Sequence, residues 1–248
     1  MAAKSISPEE VKRLKGLGFL NNKNTDNFSA RVITVNGRVT SDTLRTLADA
    51  ADRFGDGHVV FTTRLTAEVT GIPYENIDAF TEEIGKAGME PGGTGPKVRP
   101  VVCCKGTTCQ YGLLDTFGIS ERIHETFYKG WHNITLPHKF KIAVGGCPNN
   151  CVKPTLNDIG IMGWKGGCKV FIGGRWGKQH SIGQPLSKIF DPGEELMTLI
   201  EKALLFYKEN GLPGERFALT IQRIGFEEVE RQLLSDEILA RKESILAE

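Results

Sequence analysis

The segment Cys103-Cys104-Lys105-Gly106-Thr107-Thr108-Cys109 and the segment Gly146-Cys147-Pro148-Asn149-Asn150-Cys151 contain all but one of the chain's 6 cysteines. Paired thiolates in a framework of Gly and Pro-Asn are how a chain wraps an iron–sulfur cluster or a zinc ion. Such a group constrains the fold, because both segments must reach it. Pro148-Asn149-Asn150 predicts a tight turn that aims Cys147 and Cys151 the same way. Cys109 closes the first pair, and its partner is either Cys104 or Cys103. Four ligands in two pairs fit a 4Fe–4S cube, which takes one thiolate per iron. Zinc also accepts four thiolates, but its sites are usually small, self-contained knuckles. Cys168, single in a glycine-rich strand entry, reads as structural.

The bulk numbers fit a redox protein and exclude several other classes. A chain of 248 residues is long enough for one large domain or two small ones with a real core. Hydrophobic residues at 40% and charged residues at 25% describe an ordinary soluble globule. Lysine plus arginine (31) balances aspartate plus glutamate (30), so there is no electrostatic case for nucleic acid. Apolar runs are too short for a membrane span, and the N-terminus lacks the apolar core of a secretion signal. A cytoplasmic protein without a membrane partner is expected. Six cysteines are too few for a disulfide scaffold and in a reducing compartment read as metal binding. The 29 glycines gather near the cysteines, where backbone comes close to something bulky.

Patterning predicts an α+β chain. Ser7-Pro8-Glu9-Glu10 starts a helix that runs to about Gly16. Phe28 to Val35 alternates as a strand and ends at Asn36-Gly37. Ser41 caps a helix whose apolar face is Leu44, Leu47, Ala48 and Ala51. Strands follow over His58–Thr63 and Leu65–Thr70, then a helix opened by Pro73 and carrying Ile77, Phe80 and Ile84. This β-α-β-β-α order suggests a ferredoxin-like split unit over residues 1–90. Pro91 to Pro96 reads as the linker to a second domain, residues 97–248. There, strands are expected at Val98–Val102, Phe140–Val144, Ile159–Met162 and Lys169–Ile172, and a helix from about Gly112 to Phe127. Asp191-Pro192-Gly193-Glu194 caps another helix ending near Asn210-Gly211, and a charged helix closes the chain.

These residues together resemble the sirohaem-containing sulfite and nitrite reductases, and most of all their small single-repeat anaerobic members. The family carries a cysteine pair, a gap of about forty residues, then Cys-x-x-x-Cys with Asn inside. Phe61-Thr62-Thr63-Arg64, then Gly71-Ile72, looks like its Thr-Thr-Arg strand, and Phe28-Ser29-Ala30-Arg31 like its preceding basic strand. Leu136-Pro137-His138-Lys139-Phe140-Lys141 resembles its Pro-x-Lys-Phe-Lys motif, and Asn157-Asp158-Ile159-Gly160 fits the stretch after the cluster. Two features depart from the pattern: Leu65 stands where a glutamine is usual, and the Cys103-Cys104 doublet offers two first ligands.

The resemblance implies an N-terminal ferredoxin-like half-domain followed by an α+β domain that binds sirohaem and a 4Fe–4S cluster. Its implied cluster ligands are Cys104 (with Cys103 as the alternative), Cys109, Cys147 and Cys151, and Cys151 would bridge to the sirohaem. Arg31, Arg64, Lys139 and Lys141 match the family's four basic active-site positions, where fixed cations would grip an oxyanion. Lys105, Asn149, Lys153 and Arg175 are candidates for holding the carboxylate-rich sirohaem. The implied reaction is six-electron reduction of sulfite to sulfide, or of nitrite to ammonia, with electrons from an external ferredoxin-like donor. A 4Fe–4S electron-transfer subunit without sirohaem is the alternative. One repeat in place of two implies a homodimer with shared active sites.

Overall fold

Helix α1 (Pro8–Gly16) begins where the sequence predicts. Ser7 is its N-cap, and the Ser7 hydroxyl accepts the Glu10 N–H at 3.2 Å. This computed structural model describes residues 6–247. The chain divides into two compact units, one reaching Gly95 and the other starting at Pro96.

In the first unit, strands β1 (Phe19–Asn21), β2 (Asn27–Val32), β3 (Val59–Phe61) and β4 (Ala67–Pro73) form an antiparallel sheet in the order β1-β2-β4-β3. β4 lies between β2 and β3 and is antiparallel to both. β2 and β3 are therefore parallel, joined by helix α2 (Ser41–Phe54), which makes a split β-α-β unit. Helix α3 (Ile77–Lys86) follows β4 and buries Ile77, Phe80 and Ile84, as patterned. Phe80 receives Phe19 and Phe54 edge-on, each with ring centroids 6.3 Å away.

Four details differ from the sequence reading. Strand β1 was not anticipated; its three residues are too few to show a period. Thr40, not Ser41, caps α2: its hydroxyl accepts the Thr43 N–H at 3.1 Å. The buried face of α2 is Leu47, Ala50, Ala51 and Phe54, while Leu44 is exposed. Residues 91–94 are no free linker either. Gly92 N–H bonds to Arg31 C=O at 2.9 Å, Pro91 bridges to Val32, and Gly92, Gly93 and Thr94 are buried.

The second unit is built on a mixed sheet of β5 (Val102–Cys103), β6 (Ile142–Gly145), β7 (Ile159–Trp164), β8 (Gly167–Ile172) and β9 (Gln184–Phe190), in that order. β5, β6 and β7 run parallel, β8 is antiparallel to β7, and β9 is antiparallel to β8. β9 was missed because exposed residues dominate it; only Leu186 and Phe190 are buried. Helix α4 (Thr116–Ile123), continued by a π-helical stretch His124–Lys129, packs over β5 and β6. Helix α5 (Glu194–Asn210) buries an almost continuous run from Leu199 to Tyr207. Around it stand α6 (Phe217–Ile224), α7 (Phe226–Leu234) and α8 (Lys242–Ala247), where one charged helix was expected. Among the described residues no helix is long and apolar enough to cross a membrane.

Candidate functional site

Both cysteine segments leave the same end of the parallel strands. β5 ends at Cys103 and its parallel neighbour β6 ends at Gly145, so the two following loops start side by side. The Cys104 N–H bonds to Val144 C=O at 3.1 Å, and the Gly146 N–H donates to Cys104 Sγ at 3.1 Å. Gly106 and Gly146 make the approach possible. A Cβ on Gly106 would lie 2.9 Å from Gly146 Cα, and a Cβ on Gly146 would lie 2.8 Å from Gly106 Cα. Cys104, Cys109 and Cys147 are half-buried and Cys151 is exposed, so none of the four is sealed in the core.

The doublet separates by strand alternation. Cys103 is 4% exposed and packs in the core. Burial pushes its thiol up to about 11, against the opposing hydrogen bond to Ser120. Cys104 turns instead toward Gly146. Cys168 is fully buried, donates weakly to Phe190 C=O and is pushed up to about 12 by burial.

The loop 147–153 contains two residues in left-handed backbone, Asn150 (φ 56°) and Lys153 (φ 51°). Asn149 is exposed at the turn. Asn150 Oδ1 is buried without a hydrogen-bond partner among the described residues, a position that calls for a missing group. Lys105 is exposed beside Cys104. Lys153 Nζ lies 6.0 Å from the Trp176 ring centroid, and Arg175 bonds Gln179 at 2.9 Å in the loop between β8 and β9.

At the opposite end of β6, Phe140 is buried between Tyr207 and Phe217, with ring centroids 5.6 and 5.2 Å away. Alternation puts half-buried Lys139 and Lys141 on the other side of that short extended segment, which precedes the strand proper. The Lys141 N–H donates to Asp158 Oδ2 at 2.8 Å, and Ile159 N–H donates to Lys141 C=O. Asp158 is fully buried and paired with Arg216 at 2.8 and 3.0 Å. Burial pushes its carboxyl up, and the Arg216 guanidinium pulls it back. Lys139 is held below the ordinary lysine range by burial, then by the nearby charges of Arg216 and Arg99. Arg216 and Arg99 escaped the sequence reading. Nothing in a single sequence signals a pair 58 residues apart such as Asp158–Arg216.

The two basic residues of the first unit fare differently. Arg64 sits in the tight reversal Thr62–Thr66, shaped by Leu65 at φ 62°, and is half-buried. Leu65 supplies that turn, and its carbonyl accepts the Thr34 hydroxyl. Arg31 already has a partner within the first unit. It faces Glu68 across the β2–β4 register, and Glu68 Oε1 accepts from its Nε at 2.8 Å and its Nη2 at 2.6 Å. To grip a substrate anion, this guanidinium would have to share or give up its bonds to Glu68.

Comparison with known proteins identifies the two domains. The profile described as "Nitrite and sulphite reductase 4Fe-4S domain" matches residues 94–241, and the "Nitrite/Sulfite reductase ferredoxin-like half domain" matches residues 21–87. The chain belongs to the nitrite and sulphite reductase 4Fe-4S domain family. Among its relatives, the assimilatory-type sulfite reductase of Nitratidesulfovibrio vulgaris is 28% identical over 203 residues, 80% of this chain and 88% of that one. The NAD(P)H nitrite reductase of Bacillus subtilis is 28% identical over 201 residues, 79% of this chain and 24% of that one. This chain spans only 18%, 24% and 48% of three of the curated relatives it matches. In fold it resembles the Mycobacterium tuberculosis NirA protein, with a TM-score of 0.78 and 18% identity, covering 93% of this chain and 48% of that one. Dissimilatory sulfite reductase I gives a TM-score of 0.76 at 15% identity, covering 84% of this chain and 69% of that one.

The residues present fit the cluster that the family's description names. Two abutting loops offer four accessible thiols, and an orphaned amide oxygen lies between the last two cysteines in sequence. No three His, Cys, Asp or Glu side chains among the described residues converge as a single ion demands. A cube instead takes each thiolate on its own iron.

Proposed function

We propose that the chain reduces sulfite to sulfide, with Cys104, Cys109, Cys147 and Cys151 holding a 4Fe–4S cluster and Cys151 linking it to a sirohaem. The observation that carries the reading is the meeting of the two cysteine loops across Gly106 and Gly146. When bound, the coupled pair would relay electrons from the donor to the anion. The chain's own part is electrostatic. Lys141 and the half-buried Lys139 offer positive charge, and Arg64 adds a planar grip for oxygen atoms. Lys139, held below the usual lysine range, gives up a proton more readily at neutral pH than an ordinary lysine. Lys105, Lys153, Asn149 and Arg175 serve the carboxylates of the sirohaem. An external ferredoxin-like protein delivers the electrons.

Lys141 and Cys147 lie at opposite ends of β6, roughly 20 Å apart at about 3.3 Å per residue. That separation favours a twofold homodimer in which the lysines of one protomer serve the cofactor of its twin. Nitrite is the alternative substrate, since relatives named for either anion match the chain. A visible spectrum and turnover under a low-potential donor test the reading. Sirohaem bands with faster turnover of sulfite support it. Cluster absorption alone would leave an electron carrier, and preference for nitrite would change the substrate. Sedimentation of a fully loaded, active monomer would remove the shared site.

A further inference from the structure

The loop between Cys104 and Cys109 is fastened to the start of α4 by two threonines. Thr107 Oγ1 donates to Asp115 Oδ1 at 2.7 Å and accepts the Phe117 N–H at 3.0 Å. Thr116 Oγ1 donates to the Cys104 carbonyl at 2.6 Å and accepts the Thr107 N–H at 3.2 Å. Each hydroxyl thus works as donor and acceptor, and each spans from loop to helix. Asp115 is itself the N-cap of α4, accepting the Gly118 N–H at 3.1 Å, so the loop is tied to a residue already fixed by the helix. The loop also packs closely there, since a Cβ on Gly106 would come within 2.6 Å of Thr116 Cγ2. The second cysteine loop is shaped instead by its own turns, with left-handed Asn150 and Lys153 and the Lys153 N–H bonded to Asn150 C=O at 2.9 Å.

We propose that Thr107, Asp115 and Thr116 form a latch that fixes the first cysteine loop independently of the cluster and thereby slows loss of iron. The inference rests on the cluster reading above. A ligand loop that is already ordered loses little conformational entropy on binding. A thiolate that lets go of its iron then stays beside it and rebinds before a second one opens. These are positioning residues, because none of them is a ligand.

The test uses the full chain, purified without oxygen, and follows iron release to a ferrous chelator. Thr107→Val removes both bonds of one hydroxyl while keeping the side chain's shape, and Thr107→Ser retains them. Thr220→Val removes a hydroxyl bonded to Glu215 at 2.9 Å in the helical part of the same unit and serves as the stability control. Thr107→Val is expected to load iron and sulfide as the wild type does and to release iron about tenfold faster, the scale of one or two lost hydrogen bonds. Thr107→Ser should release at the wild-type rate, and Thr220→Val should lower the melting temperature without changing release. Release from Thr107→Val at the wild-type rate would overturn the latch and leave the cluster reading intact. So would equal acceleration in Thr220→Val at equal loss of melting temperature. A wild-type chain that takes up no iron and sulfide would overturn the cluster reading and the latch together.

Discussion

Two neighbouring sulfurs, Cys103 and Cys104, meet opposite surroundings because successive side chains of an extended segment point to opposite faces. One is sealed in the core with its thiol pushed up to about 11, and the other accepts the Gly146 N–H at the loop junction. Cys104→Ser is expected to lose iron outright. Cys103→Ser should keep its iron and lose about 1 kcal/mol of stability, because the buried hydroxyl is offset by little more than the Ser120 hydrogen bond. Iron and sulfide analysis beside thermal melts checks both, and iron loss from Cys103→Ser would reverse the assignment. The sequence only leans to Cys104, through Gly106 two places on, since either spacing to Cys109 suits a cluster. The choice needs the end of β5 and its register with β6, neither of which two strand residues advertise. Arg31 teaches the same point. Its motif was legible, but Glu68 opposite it on β4 was visible only through the pairing.

At the scale of elements, the segment leading into β6 is held from several sides. Phe140 anchors it in the core, Asp158 accepts one of its N–H groups, and its backbone pairs with residues 97–99. The periodicity of Lys-Phe-Lys was legible, because one buried aromatic between two lysines needs only alternation. Its electrostatics were not, because Arg99 and Arg216 approach from other elements. Those cations predict a pH effect. The Lys139 ammonium form is present at low pH and lost as pH rises through a value already below the ordinary one. Arg99→Met removes a repelling charge, so the alkaline limb of the kcat profile for sulfite should move to higher pH. An unchanged limb would mean that Lys139 does not supply the titrating proton. Helix α2 shows a different limit of pattern reading. Its apolar stripe was expected about one turn too early because Leu44, in the exposed first turn, was counted into it.

For the molecule as a whole, acid stability and the proposed assembly concern separate parts of the second unit. Glu215 is held down to about 2 by its hydrogen bond to Arg223, helped by the Leu212 N–H and the Thr220 hydroxyl. A carboxyl depressed in this way stabilises the fold above its ordinary value of 4.5, and that contribution is lost as pH falls toward 2. Glu215→Gln should therefore melt lower at neutral pH, and the gap to wild type should close on acidification. A gap that stays constant down to acid pH would show that the charge is not the cause. Assembly is the larger consequence. Lysines and cysteines at opposite ends of one short strand suit the proposed site completed by a second copy. A Lys139→Ala/Lys141→Ala chain and a Cys151→Ser chain should each be inactive alone. Mixed under exchange, a shared site gives heterodimers with one intact centre, and about a quarter of wild-type activity returns for random equal mixing. If each protomer carried its own complete site, the same mixture would stay inactive at every ratio, because neither chain would hold both the lysines and the bridging cysteine.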